Sequence, residues 1–287
     1  MIKMAGMRPT SAEIEAFNRD GFVVRPNVLE PGMVEALRQR FERLFDGEFE
    51  TGIAPDEVNW QSGRDDASLT RQLCNAWKAD TLIARAVFRA DLAEACACLA
   101  GWPGARLNQD NLFWKPPGAR ALGFHQDAAY EHWVVPCEMV SCWMALDDTT
   151  ATGGTIEYIR GSHLWGEGAR NVAFHAPDEP MIDVDHAAAA AGVRSYEPAA
   201  LELRAGDVVF HDGWVWHGSN ENRSDNPRRS LVMHCMSSEA HFHETEVSAV
   251  YSRYMRHGSS EMDESFFPVL WREDGYRTRY WAWTESD

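Results

Sequence analysis

The hydrophobic and polar positions change character once along the chain, near residue 105. Before that point the periodicity is helical. Ser11 stands where a hydroxyl can cap a helix running to about Arg19, and Asp20-Gly21 ends it. Phe22-Val23-Val24 reads as a short strand, and Pro31 opens a second helix through about Phe45. Residues 46–68 are polar and loop-like, and a helical pattern returns from about Thr81 to Ala100, closed by Gly101 before Pro103. Beyond 105 the chain turns to short β-branched and aromatic runs broken by Gly and Pro, among them RLNQDNLFWK, EMVSCWMALDD, GTIEYIRGSH, LELRAGDVVFHD and RRSLVMHCM. Such runs predict an antiparallel sandwich or barrel with the earlier helices packed outside it, a mainly β fold with flanking helices.

No stretch rich in Pro, Gly or Ser separates two units, and the alanine run at 186–192 is the sole low-complexity feature. The expectation is therefore one domain over 1–287: a mostly helical segment at 1–104, a β core at 105–245 and a C-terminal extension at 246–287. The extension carries Phe266, Phe267, Trp271, Tyr276, Tyr280, Trp281 and Trp283, aromatic residues suited to packing on the core or to a subunit contact. The oligomeric state is left open.

Composition narrows the function classes. Apolar residues make up 45% and charged residues 25%, ordinary for a globular chain. No run of about 18 apolar residues occurs, so no membrane partner is expected. The opening MIKMAGMRPTSAEIEAF has no apolar signal region, and the reading is cytoplasmic. With 44 acidic against 27 basic residues the formal charge is −17, which repels phosphate backbones and argues against nucleic acid. The six cysteines show no CxxC pairing and read as free thiols.

The chemistry is concentrated in Gly123-Phe124-His125-Gln126-Asp127. On an extended strand an HxD pair points both side chains to one face. One imidazole and one carboxylate are two thirds of a facial metal triad, and His217, ninety-two residues on (217 − 125), is the candidate third ligand. Two histidines and a carboxylate leave three adjacent positions open on an octahedral metal, the arrangement of non-haem iron oxygenases. Arg228 follows His217 by eleven residues (228 − 217), placed to grip a carboxylate with two parallel hydrogen bonds. Strand alternation allows one of Arg228 and Arg229 to point inward and sends the other to solvent. Other histidines read more plainly: His211 as structural or substrate-facing, because an HD pair splits across a strand, His163 as structural, and His241 with His243 as surface residues. Trp133, Trp214 and Trp216 lie near the ligands in sequence and are candidates to line a pocket.

Several blocks in order resemble the phytanoyl-CoA dioxygenase family of 2-oxoglutarate oxygenases: EIEAFNRDGFVVRPNVLEPGMVEALRQRF at the start, FWKPPG, HQDAAY and GGTIEYIRGSH in the middle, and HGSNENRSDNPRRS later. The resemblance implies a double-stranded β-helix (jelly roll), Fe(II) held by His125, Asp127 and His217, and 2-oxoglutarate anchored by Arg228. It further implies that Trp143 flanks the cosubstrate, that Ser219 adds a hydroxyl to its carboxylate, and that Gln109 and Asn111 point toward cosubstrate or substrate. The implied reaction consumes dioxygen, releases succinate and carbon dioxide, and oxidises an unactivated C–H bond by hydroxylation; the same chemistry can desaturate, epimerise or cyclise. Related halogenases replace the carboxylate that Asp127 retains, so halogenation is disfavoured. The substrate is expected to be a small secondary metabolite, selected by loops at 46–68, 128–137 and 164–198. Two alternatives stand beside this: a cupin-like metal isomerase or hydrolase without 2-oxoglutarate, against which Arg228 argues, and a non-catalytic binder.

Overall fold

The computed structural model describes residues 7–170 and 172–279; Tyr280, Trp281 and Trp283 of the aromatic C-terminal run lie outside them. Among the described residues there are five α-helices, α1 (Ser11–Asp20), α2 (Pro31–Phe45), α3 (Thr81–Val87), α4 (Ala90–Ala100) and α5 (Ile182–Ala190). The strands are β1 (Phe22–Arg25), β2 (Glu57–Val58), β3 (Arg71–Cys74), β4 (Gly104–Lys115), β5 (Leu122–His125), β6 (Val134–Val135), β7 (Val140–Ala145), β8 (Glu157–Ile159), β9 (Pro198–Ala200), β10 (Val208–Asp212), β11 (His217–Ser219), β12 (Arg228–Ser237), β13 (His241–Phe242) and β14 (Val269–Arg272).

The helices before residue 105 follow the sequence signals with two departures. The cap of α1 is Thr10, not Ser11: its Oγ1 accepts from the Glu13 amide while the Glu13 carboxylate accepts from the Thr10 amide, a reciprocal capping box. Gly21 closes α1 at φ 82°, and its missing side chain matters, because a Cβ there would lie 2.7 Å from His163 Nδ1 and 2.8 Å from Val215. The continuous helix expected over 81–100 is two, broken at Phe88-Arg89, with Asp80 capping the first through the Leu82 and Ile83 amides. In α2 the buried positions Val34, Leu37, Phe41, Leu44 and Phe45 make one stripe at helical spacing.

A large antiparallel sheet runs β1-β10-β7-β12-β4-β3-β2, with β14 also on β4, and a smaller one runs β5-β11-β8-β9. Alternation assigns the two faces of the large sheet. Leu112 of β4, Cys142 and Met144 of β7, Phe210 of β10 and Leu231 and Met233 of β12 pack outward against α2, α3 and α4 in one core. Their neighbours Trp143, Val209 and Val232 turn inward and pack with Ile156 and Tyr158 of the small-sheet side. The result is the jelly roll, two facing antiparallel sheets with helices on the outer face of one. The C-terminal extension belongs to this architecture, since β14 hydrogen-bonds β4. A small β13-β6 pair lies beside a third apolar cluster containing Trp133, Phe242, Tyr251 and Phe267.

Candidate metal centre

The site grows out of one strand pairing. In the small sheet His217 of β11 sits directly opposite His125 of β5. Side chains opposite each other on an antiparallel pair share a face a few ångströms apart, and the two imidazole centroids are 4.3 Å apart. Each Nδ1 is tied to a backbone carbonyl, His125 to Gly123 O and His217 to Val215 O, both at 3.0 Å. Those bonds hold a proton on Nδ1 and turn both Nε2 lone pairs into the same space. Asp127 joins them with Oδ1 3.3 Å from His125 Nε2 and 3.5 Å from His217 Nε2. The HxD pair is not wholly on a strand, as its spacing alone would have it: β5 ends at His125, and Asp127 begins a 3-10 turn over Asp127–Tyr130. One donor atom from each of the three residues falls within 4.8 Å of the others, and among the described residues they are the one such group.

The other carboxylate oxygen is fixed from behind. Asp127 Oδ2 accepts from Ser141 Oγ at 2.7 Å and meets His211 Nε2 at 3.0 Å. Tyr158 Oη meets His211 Nδ1 at 2.9 Å, so a Tyr158 hydroxyl donating there leaves the Nε2 proton to Asp127. Ser141 Oγ also meets His234 Nδ1 at 2.7 Å, and His234 Nε2 meets Asn111 Nδ2 at 2.9 Å. A consistent direction runs Asn111 amide to His234, His234 to Ser141, Ser141 to Asp127. Burial favours the uncharged imidazole of His217, keeping it well below the usual histidine range. Burial alone would raise the Asp127 carboxyl, but the histidines around it, His217 foremost, hold it well below the usual carboxylate range. Two imidazoles with Nε2 turned inward and a carboxylate, each oriented by an outer partner, are a donor set that suits a divalent first-row metal.

Beside the triad lies a cavity of about 480 Å³. Trp143, Ser219, Gln109, Asn111 and Arg228, all singled out from sequence, line it together with the triad. Arg228 is buried, with Nε on Gly154 O at 3.1 Å, one terminal nitrogen 3.2 Å from Ser230 Oγ and the other 3.3 Å from Ser219 Oγ; its guanidinium carbon lies 5.7 Å from the Trp143 ring. No carboxylate pairs with it among the described residues, and burial brings its usual value down to about 10. Arg229 points away as alternation requires, yet not into solvent: it is half-buried and grips Asp147 with two bonds of 2.9 Å.

Three residues have a larger place here than sequence reasoning gives them. His211, expected to be structural or substrate-facing, touches Asp127. His234 follows Arg228 at strand spacing (228, 230, 232, 234) on the inward face, a signal that the sequence does carry. The third is Lys115, fully buried directly opposite Arg228 in the β12–β4 pairing. Its Nζ donates to Ser219 Oγ at 2.8 Å and to the Asn220 carbonyl. With Lys115 and Arg228 both donating to Ser219 Oγ, the serine proton is directed elsewhere. Burial, then the charge of Arg228, presses the Lys115 ammonium well below the usual lysine range. Of the three tryptophans considered, Trp133 lines the cavity; Trp216 is buried in a core of its own with Phe124. His241 is exposed and His163 bonds the Asn18 carbonyl, as their plain readings require. The loops at 46–68, 128–137 and 164–198 all contribute to the wall, as do Ser248–Tyr251 of the C-terminal extension, which sequence reasoning does not place there.

The family model for phytanoyl-CoA dioxygenase (PhyH) matches residues 17–230. Phytanoyl-CoA dioxygenase 1 of Oryza sativa subsp. japonica is 32% identical over 132 residues, 46% of this chain and 44% of that protein. The chain thus spans about half the length of curated relatives of this kind. Among solved structures, the carbocyclase SnoK of nogalamycin biosynthesis superposes with a TM-score of 0.71 at 23% identity, covering 93% of this chain and 98% of that one. The epimerase SnoN, solved in complex with Fe3+, alpha ketoglutarate and nogalamycin RO, has a TM-score of 0.68 at 21% identity over 90% of this chain and 97% of its own. These two likenesses carry the fold. Among the described residues no helix is long and apolar enough to cross a membrane. With its family model matched over most of its length, the chain belongs to the phytanoyl-CoA dioxygenase family, whose members are iron- and 2-oxoglutarate-dependent dioxygenases.

Proposed function

We propose that this protein is an Fe(II)/2-oxoglutarate-dependent oxygenase that hydroxylates an unactivated C–H bond of a small organic molecule, a secondary metabolite rather than an acyl-CoA. The observation that carries the reading is the convergence of His125 Nε2, His217 Nε2 and Asp127 Oδ1 in one cavity beside a buried Arg228 that pairs with no carboxylate among the described residues. In this reading the three donors hold the metal, and the metal with 2-oxoglutarate and dioxygen supplies an oxidant strong enough for a C–H bond. The chain's own role is placement. Arg228 and the Ser219 hydroxyl take the far carboxylate of the cosubstrate, with Lys115 behind them donating to the serine oxygen, and Trp143 flanks it. His211 and Ser141 hold Asp127 by Oδ2, so that Oδ1 is the oxygen turned toward the two Nε2 atoms and would be the one to hold the metal. Phe174, whose ring meets His125 edge-on at 4.9 Å, and Trp133 supply apolar wall that keeps water from the reacting centre.

Outcomes other than hydroxylation belong to the same site; SnoN and SnoK are described as an epimerase and a carbocyclase. The test is anaerobic titration of Fe(II) and 2-oxoglutarate into the metal-free protein, following the weak visible band of the chelate. The band is expected in the natural protein and lost in His217→Ala. Metal binding without a band would defeat the cosubstrate assignment and favour an isomerase or hydrolase.

A further inference from the structure

The cavity has a charge asymmetry that metal and cosubstrate leave unused. Arg228 is the one Lys or Arg lining it among the described residues, and it belongs to the end formed by Ser219 and Trp143. The remaining wall carries two carboxyl groups, Glu57 on β2 and Glu131 just after the Asp127 turn, with the hydroxyl of Tyr251 beside them. Neither glutamate forms an ion pair among the described residues. Lys78 and Arg253, the cations behind Glu57, are both held by Asp56, at 2.6 and 2.9 Å, and do not line the cavity.

The hydrogen bonds of this wall accept more than they donate. Tyr251 Oη lies 3.1 Å from Glu57 Oε1 and also bonds the Gln109 side chain. Both neighbours are acceptor oxygens, Gln109 Oε1 and Glu57 Oε1, and a phenol has one proton, so Tyr251 serves one of them at a time. Glu131 receives the Asn108 amide at 2.9 Å on Oε2. With no cation beside it among the described residues, burial pushes its carboxyl up to about 8, a rise that an ammonium group placed against it would reverse.

An independent observation points the same way. Asn111, 6% exposed and lining the same cavity, has no hydrogen-bond partner for Oδ1 among the described residues. The relay through His234 and Ser141 to Asp127 commits the Asn111 nitrogen to His234, which leaves Oδ1 as the free atom. An unfilled buried acceptor calls for a donor, and 2-oxoglutarate, a dianion, brings none.

We infer that the substrate carries a protonated amine, whose N–H groups Glu57 and Glu131 receive in the cavity that holds the triad. This rests on the oxygenase reading and adds to it the class of substrate. A cavity of about 480 Å³ has room for a compact ring amine of drug-like size.

The experiment uses full-length protein loaded anaerobically with Fe(II) and 2-oxoglutarate and titrated by calorimetry with matched ligands. Ring amines are paired with their uncharged oxygen isosteres: piperidine with tetrahydropyran, and 4-phenylpiperidine with 4-phenyltetrahydropyran. Charge-assisted hydrogen bonds in a partly dry site give an expected preference of about tenfold or more for an amine over its partner. The isosteric variants Glu57→Gln and Glu131→Gln are expected to bring that preference below about threefold. If no amine of the panel outbinds its isostere, whether both bind equally or neither binds, the inference is overturned. A preference undiminished in both variants overturns it as well. The visible chelate band in the same samples reports on the oxygenase reading separately: absence of the band defeats that reading whatever the amines do, while a band with equal affinities defeats the amine inference alone.

Discussion

At the scale of single residues the two adjacent arginines separate cleanly. Arg228 is buried with hydroxyl and carbonyl neighbours and, among the described residues, no carboxylate, whereas Arg229 is paired with Asp147 on the opposite face. Removing a charged donor from a ligand carboxylate costs about 1.5–3 kcal/mol, roughly ten- to a hundredfold in affinity. Arg228→Ala is therefore expected to weaken 2-oxoglutarate binding by that factor. Arg229→Ala should leave it within about twofold, because Asp147 keeps Arg38 at 3.1 Å and the loss falls on stability. Equal losses of cosubstrate affinity would show the wrong inward residue. Lys115→Met retains the buried length and removes the donor that orients the Ser219 hydroxyl; it should lower 2-oxoglutarate affinity about tenfold with iron affinity unchanged. Unchanged cosubstrate affinity would reduce Lys115 to a structural prop for Ser219. Glu131 gives a prediction of the opposite kind, on stability. Its carboxyl is raised in the folded protein from an ordinary 4.5 to about 8, so folding favours the protonated form. Between those values the folded state binds more protons than the unfolded chain, and stability falls as pH rises. Thermal midpoints followed from pH 5 to pH 8 should decline less in Glu131→Gln than in the natural protein. Parallel curves would rule out this burial effect.

Elements explain what the sequence makes legible and what it hides. The HxD spacing, the distal histidine and the arginine are readable because each sits on or beside a strand whose period of two determines direction. The start of α1 and the Pro31 start of α2 are readable because their signals are local, although Thr10 rather than Ser11 is the cap. Cross-strand partners are not. Ser141 and His211 meet at Asp127 through pairing of β7 with β10, and Lys115 meets Arg228 through β4 and β12; no residue pattern along one strand encodes those registers. The break between α3 and α4 is also hidden, since Phe88-Arg89 carries neither Gly nor Pro. Helix α5 is masked because its alanine run gives no apolar stripe to mark a face. The last hidden element is the stretch 248–251, which lines the cavity although it follows the β core. Lys78 anchors this region by bonding both Asp56 and Tyr254 Oη, at 2.6 and 2.8 Å. Lys78→Met should loosen it, seen as faster amide hydrogen exchange over 246–256 with no change in α2. Exchange unchanged in that stretch would mean that the apolar packing of Tyr251 on Trp133 holds it unaided.

For the whole molecule the question is whether the helical segment at the N-terminus and the strands make one cooperative unit. One core cluster contains Leu37 and Phe41 of α2, Ile83 of α3, Leu92 and Cys96 of α4 and the outward faces of β4, β7, β10 and β12. The helices have no separate core of their own in that arrangement, and the large sheet would expose a continuous apolar face without them. Strand β1, from the N-terminal segment, hydrogen-bonds β10, and β14, from the C-terminal extension, hydrogen-bonds β4, so both of these regions are stitched into one sheet. A chain of 287 residues is long enough that two-state unfolding is not guaranteed by size. Packing nevertheless predicts it: helix content by far-ultraviolet circular dichroism and the environment of the tryptophans by fluorescence should be lost at the same temperature. Loss of helix signal several degrees earlier would mean that the N-terminal helices form a separable layer. In that case the jelly roll, not the helical coat, would be what keeps β5 and β11, and with them His125 and His217, in register.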